Sequence, residues 1–227
     1  ANLLHWMREL DESGIQTVNM LGCHDGIPVL DLRGKEVDGV YREGLLSDDE
    51  IQSVIDNILE RGGRIKNLYG ADGRKIAYYQ VNATYYSALG EDDQKLLLAR
   101  AIQLFTPGIP QVWYLDLFAG KNDYAAADRG GTGGHKEINR TTLSMVDIEK
   151  GLQTPVVGNQ LKLLKLRNTH PAFNGSLEII PCKSNRLHLS WRNGDHAATL
   201  EADLGGHGFT VSWTDGPGDN GMMEFSR

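Results

Sequence analysis

Apolar residues recur at helical spacing in four stretches of the chain. They predict helices at residues 2–10, 51–59, 91–106 and 155–169. The second helix has a marked start, because Ser47 and Glu50 form the S-x-x-E pattern of a capping box, and it has a marked end at Gly62. The third helix opens with acidic residues, which the helix dipole favours, and stops before Pro107.

Two shorter apolar runs, 15–21 and 109–115, predict buried strands. The first run contains the β-branched residues Ile15 and Val18, and the second carries Pro110 near its start, where a strand tolerates proline. Glycine-rich or charged stretches predict long loops at 63–75 and 120–135.

The pattern changes after Pro171. Residues 186–192 and 209–213 alternate strictly between apolar and polar, and Gly-rich turns separate the segments, which predicts antiparallel strands. We therefore expect two domains, residues 1–174 and residues 175–227.

Strands and helices alternate before this boundary, and polar residues follow the strands. This order is typical of a (β/α) barrel, which forms its active site at the C-terminal ends of its strands. A full barrel needs eight strand–helix units, and the chain offers two at most. The predicted fold class is α/β: the C-terminal portion of a (β/α)8 barrel with active-site loops, followed by a small antiparallel β domain.

The composition narrows the classes of partner. A formal charge of −7 disfavours nucleic acid, because phosphate binding needs a clustered basic face. No stretch approaches the roughly 20 consecutive apolar residues of a membrane span, and the first residues lack the pattern of a signal peptide. Cys23 and Cys182 form neither a disulfide framework nor a zinc-ligand pattern, so we expect a cytoplasmic protein that binds no metal ion.

The predicted strand at 15–21 leads into an ionisable pair, His24 and Asp25, and the chain then turns at Gly26. One interpretation is a polar pair where a strand reaches solvent. The other is a binding site on the rim of a barrel. The pair by itself leaves both interpretations open.

Four segments together carry a family resemblance. They are CHDGIPVLDL (23–32), YYQVNATYYSALG (78–90), LFTPGIPQVWYLDLFAGKNDY (104–124) and HKEINRTTLS (135–144). In this order they resemble the sucrose phosphorylase subgroup of glycoside hydrolase family 13, the alpha-amylase family. The resemblance covers nearly the whole chain, and the combination is far more specific than any one segment.

The resemblance implies a retaining enzyme on a (β/α)8 barrel with a small C-terminal β domain. Such enzymes use two carboxylates, a nucleophile and an acid/base, and pass through oxocarbenium-like transition states. In this subgroup a glucosyl–enzyme ester forms from a sucrose-like α-glucoside. Inorganic phosphate then attacks the ester and gives α-glucose 1-phosphate. No cofactor is expected.

The resemblance also assigns roles to individual residues. Asp25 is expected to accept hydrogen bonds from the transferred sugar and to stabilise the positive charge of the transition state, while His24 donates to a neighbouring hydroxyl. Arg140 matches the arginine that holds the far hydroxyls of the glucose ring, and a solvated surface arginine is the alternative. Gln80 and Tyr79 match positions near the acceptor and phosphate site; simple packing is the alternative for the tyrosine.

Asn139 precedes Arg140 in the matching segment and is expected in the same substrate site. His135 and Lys136 add positive charge there, which favours an anionic acceptor such as glycerate or a sugar phosphate; a solvent-facing Lys136 is the alternative. The subgroup commonly carries an aspartate just before the matched tyrosine, where this chain has Ile-Ala-Tyr at 76–78. The acceptor therefore need not be fructose.

The family's nucleophile and acid/base lie on the fourth and fifth barrel strands, and no segment of this chain matches either motif. Asp116, Asp123 and Glu137 match neither role. We therefore expect the chain to be inactive alone and to need the missing N-terminal half of the barrel. Apolar surface at 18–21 and 51–59 is expected to be exposed and to favour a homo-oligomer or another self-association.

Two alternatives stand beside a phosphorylase. One is a hydrolase or transglucosidase of the same family, which uses water or a sugar in place of phosphate. The other is a non-catalytic sugar-binding relic. The Gln-Val-Asn-Ala-Thr-Tyr-Tyr block at 80–86 favours the phosphorylase, and the intact His24–Asp25 pair with Arg140 argues against a relic.

Overall fold

A computed structural model describes residues 2–69, 75–216 and 220–226. Its helices are α1 (Asn2–Ser13), α2 (Asp48–Glu60), α3 (Tyr85–Ala88), α4 (Asp93–Phe105), α5 (Tyr114–Leu117), α6 (Tyr124–Arg129), α7 (Met145–Leu152) and α8 (Pro155–Thr169). The four predicted helices are confirmed as α1, α2, α4 and α8. No helix within the described ranges is long and apolar enough to cross a membrane.

The strands range in length from two to eight residues. They are β1 (Val18–Asn19), β2 (Lys35–Val37), β3 (Val40–Arg42), β4 (Arg64–Tyr69), β5 (Lys75–Asn82), β6 (Ile109–Pro110), β7 (Ser176–Ile179), β8 (Arg186–Asn193), β9 (His196–Asp203), β10 (Phe209–Asp215) and β11 (Asn220–Phe225). Short 3₁₀ helices cover Val29–Leu32, Gly131–Asn139 and Pro171–Asn174.

The chain divides into two units that are each discontinuous in sequence. The first unit contains residues 1–20, 93–111 and 152–227, and the second contains residues 21–92 and 112–151. The predicted domain boundary at 174 and 175 is a different division, and it stays a prediction.

The first unit contains a five-stranded antiparallel sheet in the order β11-β10-β9-β8-β7. This confirms the antiparallel strands that the alternation after Pro171 predicts. Leu187, Leu189 and Trp191 of β8 point to the buried face, as alternate residues of a strand must. Trp191 also donates its indole N–H to the carbonyl of Phe105 at 2.9 Å, which fixes the end of α4 against the sheet.

Helices α4 and α8 pack together in the first unit around a buried polar pair. Arg100 of α4 is fully buried, and its Nε donates to Gln160 Oε1 of α8 at 2.9 Å. Leu104, Val157 and Leu163 are buried in the apolar core of the same unit. A buried charge of this kind is costly unless it is hydrogen-bonded, so the pair fixes how the two helices face each other.

The predicted strands at 15–21 and 109–115 are much shorter in the structure. Val18 and Asn19 pair in parallel with Ile109 and Pro110, and the ladder ends there. The side-chain amide of Gln103 then donates to the carbonyls of Asn19 and Gln111 at 3.0 and 2.9 Å. The Gln111 N–H also donates to the Asn19 carbonyl, at 2.8 Å, so the Gln103 side chain adds a second donor there. Residues 114 and 115, the end of the predicted strand, belong to helix α5 instead.

Helix α2 of the second unit begins at the predicted capping box. Ser47 Oγ accepts from the Glu50 N–H at 3.3 Å, and the Glu50 carboxylate accepts from the Ser47 N–H at 2.8 Å. The buried core that α2 joins consists of Val29, Ile51, Ile55, Ile58, Val81, Ala83 and Ala88. The expectation that the apolar face at 51–59 is exposed is therefore wrong for its three isoleucines, which are buried. The other two apolar residues of this face, Val54 and Leu59, are exposed.

Two predicted loops of the second unit contain regular structure. Strand β4 pairs with β5 inside the stretch 63–75, while residues 70–74 of that stretch lie outside the described residues. The stretch 120–135 contains α6 and most of the 3₁₀ helix Gly131–Asn139. Asp123 caps α6 by accepting from the Ala126 N–H at 2.8 Å, a contact between near neighbours that glycine content alone does not reveal.

Candidate functional site

His24 and Asp25 form the tip of a tight turn in the second unit. Cys23 and Gly26 flank the tip and exchange two backbone hydrogen bonds of 3.3 and 3.1 Å. Gly26 has a φ of +111°, and a Cβ atom there would lie 2.3 Å from the Val81 carbonyl oxygen. Only glycine fits this position, so the turn that the sequence marks with Gly26 is set by close backbone contact.

The Asp25 carboxylate lies among three nitrogen groups. Lys136 Nζ is 2.8 Å from Asp25 Oδ1, Arg140 Nη2 is 3.3 Å from the same oxygen, and His24 Nε2 is 3.2 Å from Oδ2. The hydrogen bond from Lys136 is the main cause that lowers the pKa of Asp25 below its ordinary value. Asp25 is therefore ionised at neutral pH, and its side chain is still 40% exposed to solvent.

Arg140 holds both the backbone and the side chains of the site. Its Nε donates to the His24 carbonyl at 2.9 Å, and its Nη1 donates to Glu137 Oε1 at 3.3 Å. With the contact to Asp25, each nitrogen of the guanidinium has a protein partner. This arginine is thus a part of the site's own framework, with about a third of its side chain still exposed (31%).

Two aromatic residues support the segment that carries Arg140. The Trp113 ring lies 5.9 Å from the His24 ring, and its indole N–H donates to the Asn139 carbonyl at 3.3 Å. Tyr114 donates its hydroxyl to the Thr141 carbonyl at 2.6 Å, and burial raises the pKa of this hydroxyl. The apolar pattern predicts a strand for both aromatic residues and does not reveal this role.

Two buried asparagines contact the turn from below its tip. Asn139 is 1% exposed and donates its amide to the Cys23 carbonyl at 2.6 Å. Asn82 is fully buried and donates to the Asp25 carbonyl at 2.8 Å. The expected substrate-binding role of Asn139 stays a prediction. Sequence reasoning missed Asn82, although it lies inside the quoted segment 78–90.

The structure thus brings together His24, Asp25, Lys136, Asn139 and Arg140. His135 is half-buried in the same 3₁₀ helix as Lys136. The side chains of Tyr79 and Gln80 lie outside the described part of the structure. In the ranges that it describes, no three His, Cys, Asp or Glu side chains are close enough to hold a metal ion.

The arrangement is suited to a neutral ligand that carries many hydroxyl groups. Asp25 offers acceptor oxygens, and Lys136, Arg140 and His24 offer donors beside it, so one hydroxyl could donate to the carboxylate and a neighbour could accept from a cation. Hydrogen bonds with one charged partner are roughly twice as strong as neutral ones. A sugar presents hydroxyls in this alternating way.

Comparison with known proteins identifies the class of the chain. It matches no protein-family model. It is 60% identical over 93% of its length to a sucrose 6(F)-phosphate phosphorylase of Ilumatobacter coccineus and covers 40% of that protein. It is 36% identical over 94% of its length to a glucosylglycerol phosphorylase of Marinobacter adhaerens and covers 42% of it. The chain is therefore related to the glycoside phosphorylases.

A solved structure narrows this class. The crystal structure of sucrose 6F-phosphate phosphorylase from Thermoanaerobacter thermosaccharolyticum matches 99% of the chain with a TM-score of 0.79 and 34% identity, and the chain covers 46% of it. The chain belongs to the sucrose phosphorylase group of the alpha-amylase family, as the quoted segments predict. The predicted fold class is confirmed as well. The chain spans about 40% of the length of the curated relatives it matches.

Proposed function

We propose that the protein containing this chain transfers a glucosyl group from a sucrose-like α-glucoside to inorganic phosphate and forms α-glucose 1-phosphate. Relatives at 60% and 39% identity are named for sucrose 6(F)-phosphate, which makes this phosphorylated sugar the first donor to test. A glucosyl donor of this kind carries its phosphate on the departing sugar. In the reverse reaction that phosphorylated sugar is the acceptor, so it agrees with the expectation of an anionic acceptor.

The position of the Asp25 carboxylate beside His24, Lys136 and Arg140 is the observation that carries the proposal. A fixed carboxylate stabilises positive charge that develops at the anomeric carbon, and it does so without reorganising during the reaction. Asp25 is charged in the neutral range, and Lys136, with smaller effects of His24 and Arg140, lowers its pKa further. By analogy with the loss of one oxyanion-hole donor, this contact contributes roughly 3–4 kcal/mol to transition-state stabilisation.

His24, Lys136 and Arg140 supply the complementary donors. Their side chains are 58%, 26% and 31% exposed, so each keeps surface from which a hydroxyl or phosphate oxygen can be reached. Arg140 is directed by its contact with Glu137, and Lys136 by its contact with Asp25. We assign the three residues to sugar binding, with Lys136 nearest to Asp25.

The nucleophile and the acid/base belong to another part of the protein under this proposal. Asp116 is buried and accepts from the Tyr85 N–H, Asp123 caps α6, and Glu137 pairs with Arg140. Each of these carboxylates has a local structural partner, which supports leaving them out of the catalytic roles. The chain alone is then inactive, and the missing barrel strands are its required partner.

The test is a phosphate-dependence assay on the protein that contains the chain. We expect glucose 1-phosphate from sucrose 6F-phosphate, or from sucrose, only when inorganic phosphate is present. Release of free glucose at the same rate with and without phosphate would establish the hydrolase instead. Binding of the donor with no product under either condition would establish the non-catalytic sugar-binding relic.

A further inference from the structure

Three consecutive backbone carbonyls of the turn accept hydrogen bonds from three different side chains. Asn139 donates to Cys23 O at 2.6 Å, Arg140 donates to His24 O at 2.9 Å, and Asn82 donates to Asp25 O at 2.8 Å. The Cys23 carbonyl also accepts from the Gly26 N–H at 3.1 Å. The three side chains come from two separate segments of the second unit.

The orientation of the two asparagine amides follows from their partners. A carbonyl oxygen can only accept, so the NH₂ group of each amide must face it and the amide oxygen must point away. Neither amide oxygen has a hydrogen-bond partner among the described residues. A buried acceptor without a partner costs stability, so asparagine is a poor choice for these positions on packing grounds alone. The remaining reason for an asparagine at each of these positions is the amide N–H that it donates to the turn.

Both asparagines are themselves held firmly. Asn82 ends strand β5, and the preceding Val81 accepts at 2.8 Å from the N–H of Ile27, just after the turn. Asn139 follows Ile138, which is fully buried and accepts from the Asp123 N–H at 2.8 Å. The two amides therefore connect the turn to a strand end and to an anchored helix end.

We propose that Asn82 and Asn139 are positioning residues, which hold the backbone of the His24–Asp25 turn so that the Asp25 carboxylate meets the transferred sugar at the correct distance. This inference rests on the proposed function. Arg140 contacts the same turn, but it also contacts the carboxylate and is assigned to the sugar. Among the described residues, each asparagine amide donates to a backbone carbonyl of the turn and neither is hydrogen-bonded to the Asp25 carboxylate, so they act through the backbone of the turn.

The size of the effect follows from geometry. A misplacement of about 1 Å at a reacting centre can lower a rate by roughly 100-fold. We expect the loss of either amide donor to lower kcat/KM by roughly 10- to 100-fold, mostly through kcat, because the carboxylate contact matters most in the transition state. The ground-state affinity for the sugar should change less.

The first experiment uses Asn82→Leu and Asn139→Leu in the protein that contains this chain. Leucine is close to asparagine in size, and it removes both the donor and the unpartnered oxygen, so the overall stability need not fall. We expect faster backbone hydrogen exchange in residues 22–27 and unchanged exchange in α2. Unchanged exchange in residues 22–27 overturns the proposal, whatever the activity of the variants.

The second experiment uses Asn82→Asp and Asn139→Asp, which restore a donor only when the new carboxyl is protonated. Burial raises the pKa of such a carboxyl, so protonation is expected at mildly acidic pH. We expect a large loss of kcat at pH 8 and a smaller loss, relative to wild type, as the pH is lowered. Asn57→Asp is the matched control, because Asn57 also donates to a carbonyl (Ser53, 2.7 Å) but on the exposed surface of α2.

The outcomes separate this inference from the function on which it rests. Faster exchange with full activity overturns the positioning role, provided that Asp25→Asn is inactive. If Asp25→Asn is fully active as well, the proposed function of the turn fails, and the exchange data still report whether the amides hold it. A pH-dependent recovery of both aspartate variants, absent from the Asn57 control, supports the proposal.

Discussion

Lys136 Nζ lies 2.8 Å from Asp25 Oδ1, although 111 positions separate the two residues in the chain. The contact gives Lys136 a definite place: its ammonium group faces the carboxylate and not open solvent. Lys136, which is expected to bind an anionic group, thus contacts Asp25, which is expected to stabilise positive charge. Removing either one must therefore change the electrostatics of the other.

Lys136→Met should raise the pKa of Asp25 towards its ordinary value of 3.8. In the wild type the lowered pKa contributes stability that is present above the unfolded value and is lost as the pH falls through the folded value. The variant should therefore have a smaller contribution of this kind above the unfolded value, and less of it to lose as the pH falls. Carboxyl NMR titration of Asp25 measures the shift. Lys121→Met, which removes a lysine paired with Glu91, is the control and should leave the Asp25 titration unchanged.

Asp25→Asn, in the protein containing the chain, should lower kcat/KM by about 100-fold or more, as expected for the loss of a transition-state contact. Folding should barely change, because the side chain is 40% exposed. Steady-state kinetics and thermal unfolding measure the two effects. Asp56→Asn removes an exposed carboxylate of α2 that pairs with Gln52, and it should retain wild-type kinetics. A near-wild-type rate for Asp25→Asn would falsify the assignment of the turn to the sugar site.

Gly26→Ala should lower the free energy of unfolding by more than the positive φ of this residue alone explains. A positive φ costs an alanine about 1–2 kcal/mol. At Gly26 the new Cβ would also lie 2.3 Å from the Val81 oxygen. Gly14→Ala is the matched control, since Gly14 has a φ of +67° and no atom within 4 Å of the built Cβ. Urea unfolding should show a clearly larger loss for Gly26→Ala; equal losses would mean that the turn relaxes.

Ser47→Ala should destabilise the chain by about 1 kcal/mol, because it removes the side-chain acceptor at the start of α2. The variant also deprives the Glu50 carboxylate of the Ser47 hydroxyl, one of the two hydrogen bonds that lower its pKa. Chemical denaturation of wild type and variant measures the difference. Ser53→Ala is the control on the exposed face of the same helix. It should change the free energy of unfolding little, since the Ser53 hydroxyl donates to the Asp49 carbonyl of the preceding turn.

The isolated chain should self-associate and should form no glucose 1-phosphate. Val18 and Ile109 of the paired strands β1 and β6 are 56% and 55% exposed, and exposed apolar strand edges pair with other chains. Size-exclusion chromatography with light scattering measures the mass. Val18→Lys should shift the chain towards the monomer. A monomeric wild-type chain that consumes sucrose unaided would place the catalytic carboxylates within these residues.

The sequence by itself determined the elements that depend on neighbouring residues. The spacing of Ile51, Ile55 and Ile58 and the Ser47–Glu50 capping box fixed helix α2, and strict alternation fixed β8 and β10. Such patterns act through contacts within a few positions, so they can be read along the chain. The family followed from the resemblance of four short segments, and the role of the His24–Asp25 turn stays a prediction.

Only the tertiary structure decided what depends on distant residues. The Gln103 amide donates to the Asn19 carbonyl across 84 positions, a contact that only folding brings about. Asn82 and Asn139 serve the turn because folding brings their amides to its carbonyls from 57 and 116 positions away. Local sequence cannot encode which carbonyl a buried amide meets, since that choice is made by packing. The lowered pKa of Asp25 is likewise a property of the folded chain, set mainly by a lysine far along the sequence.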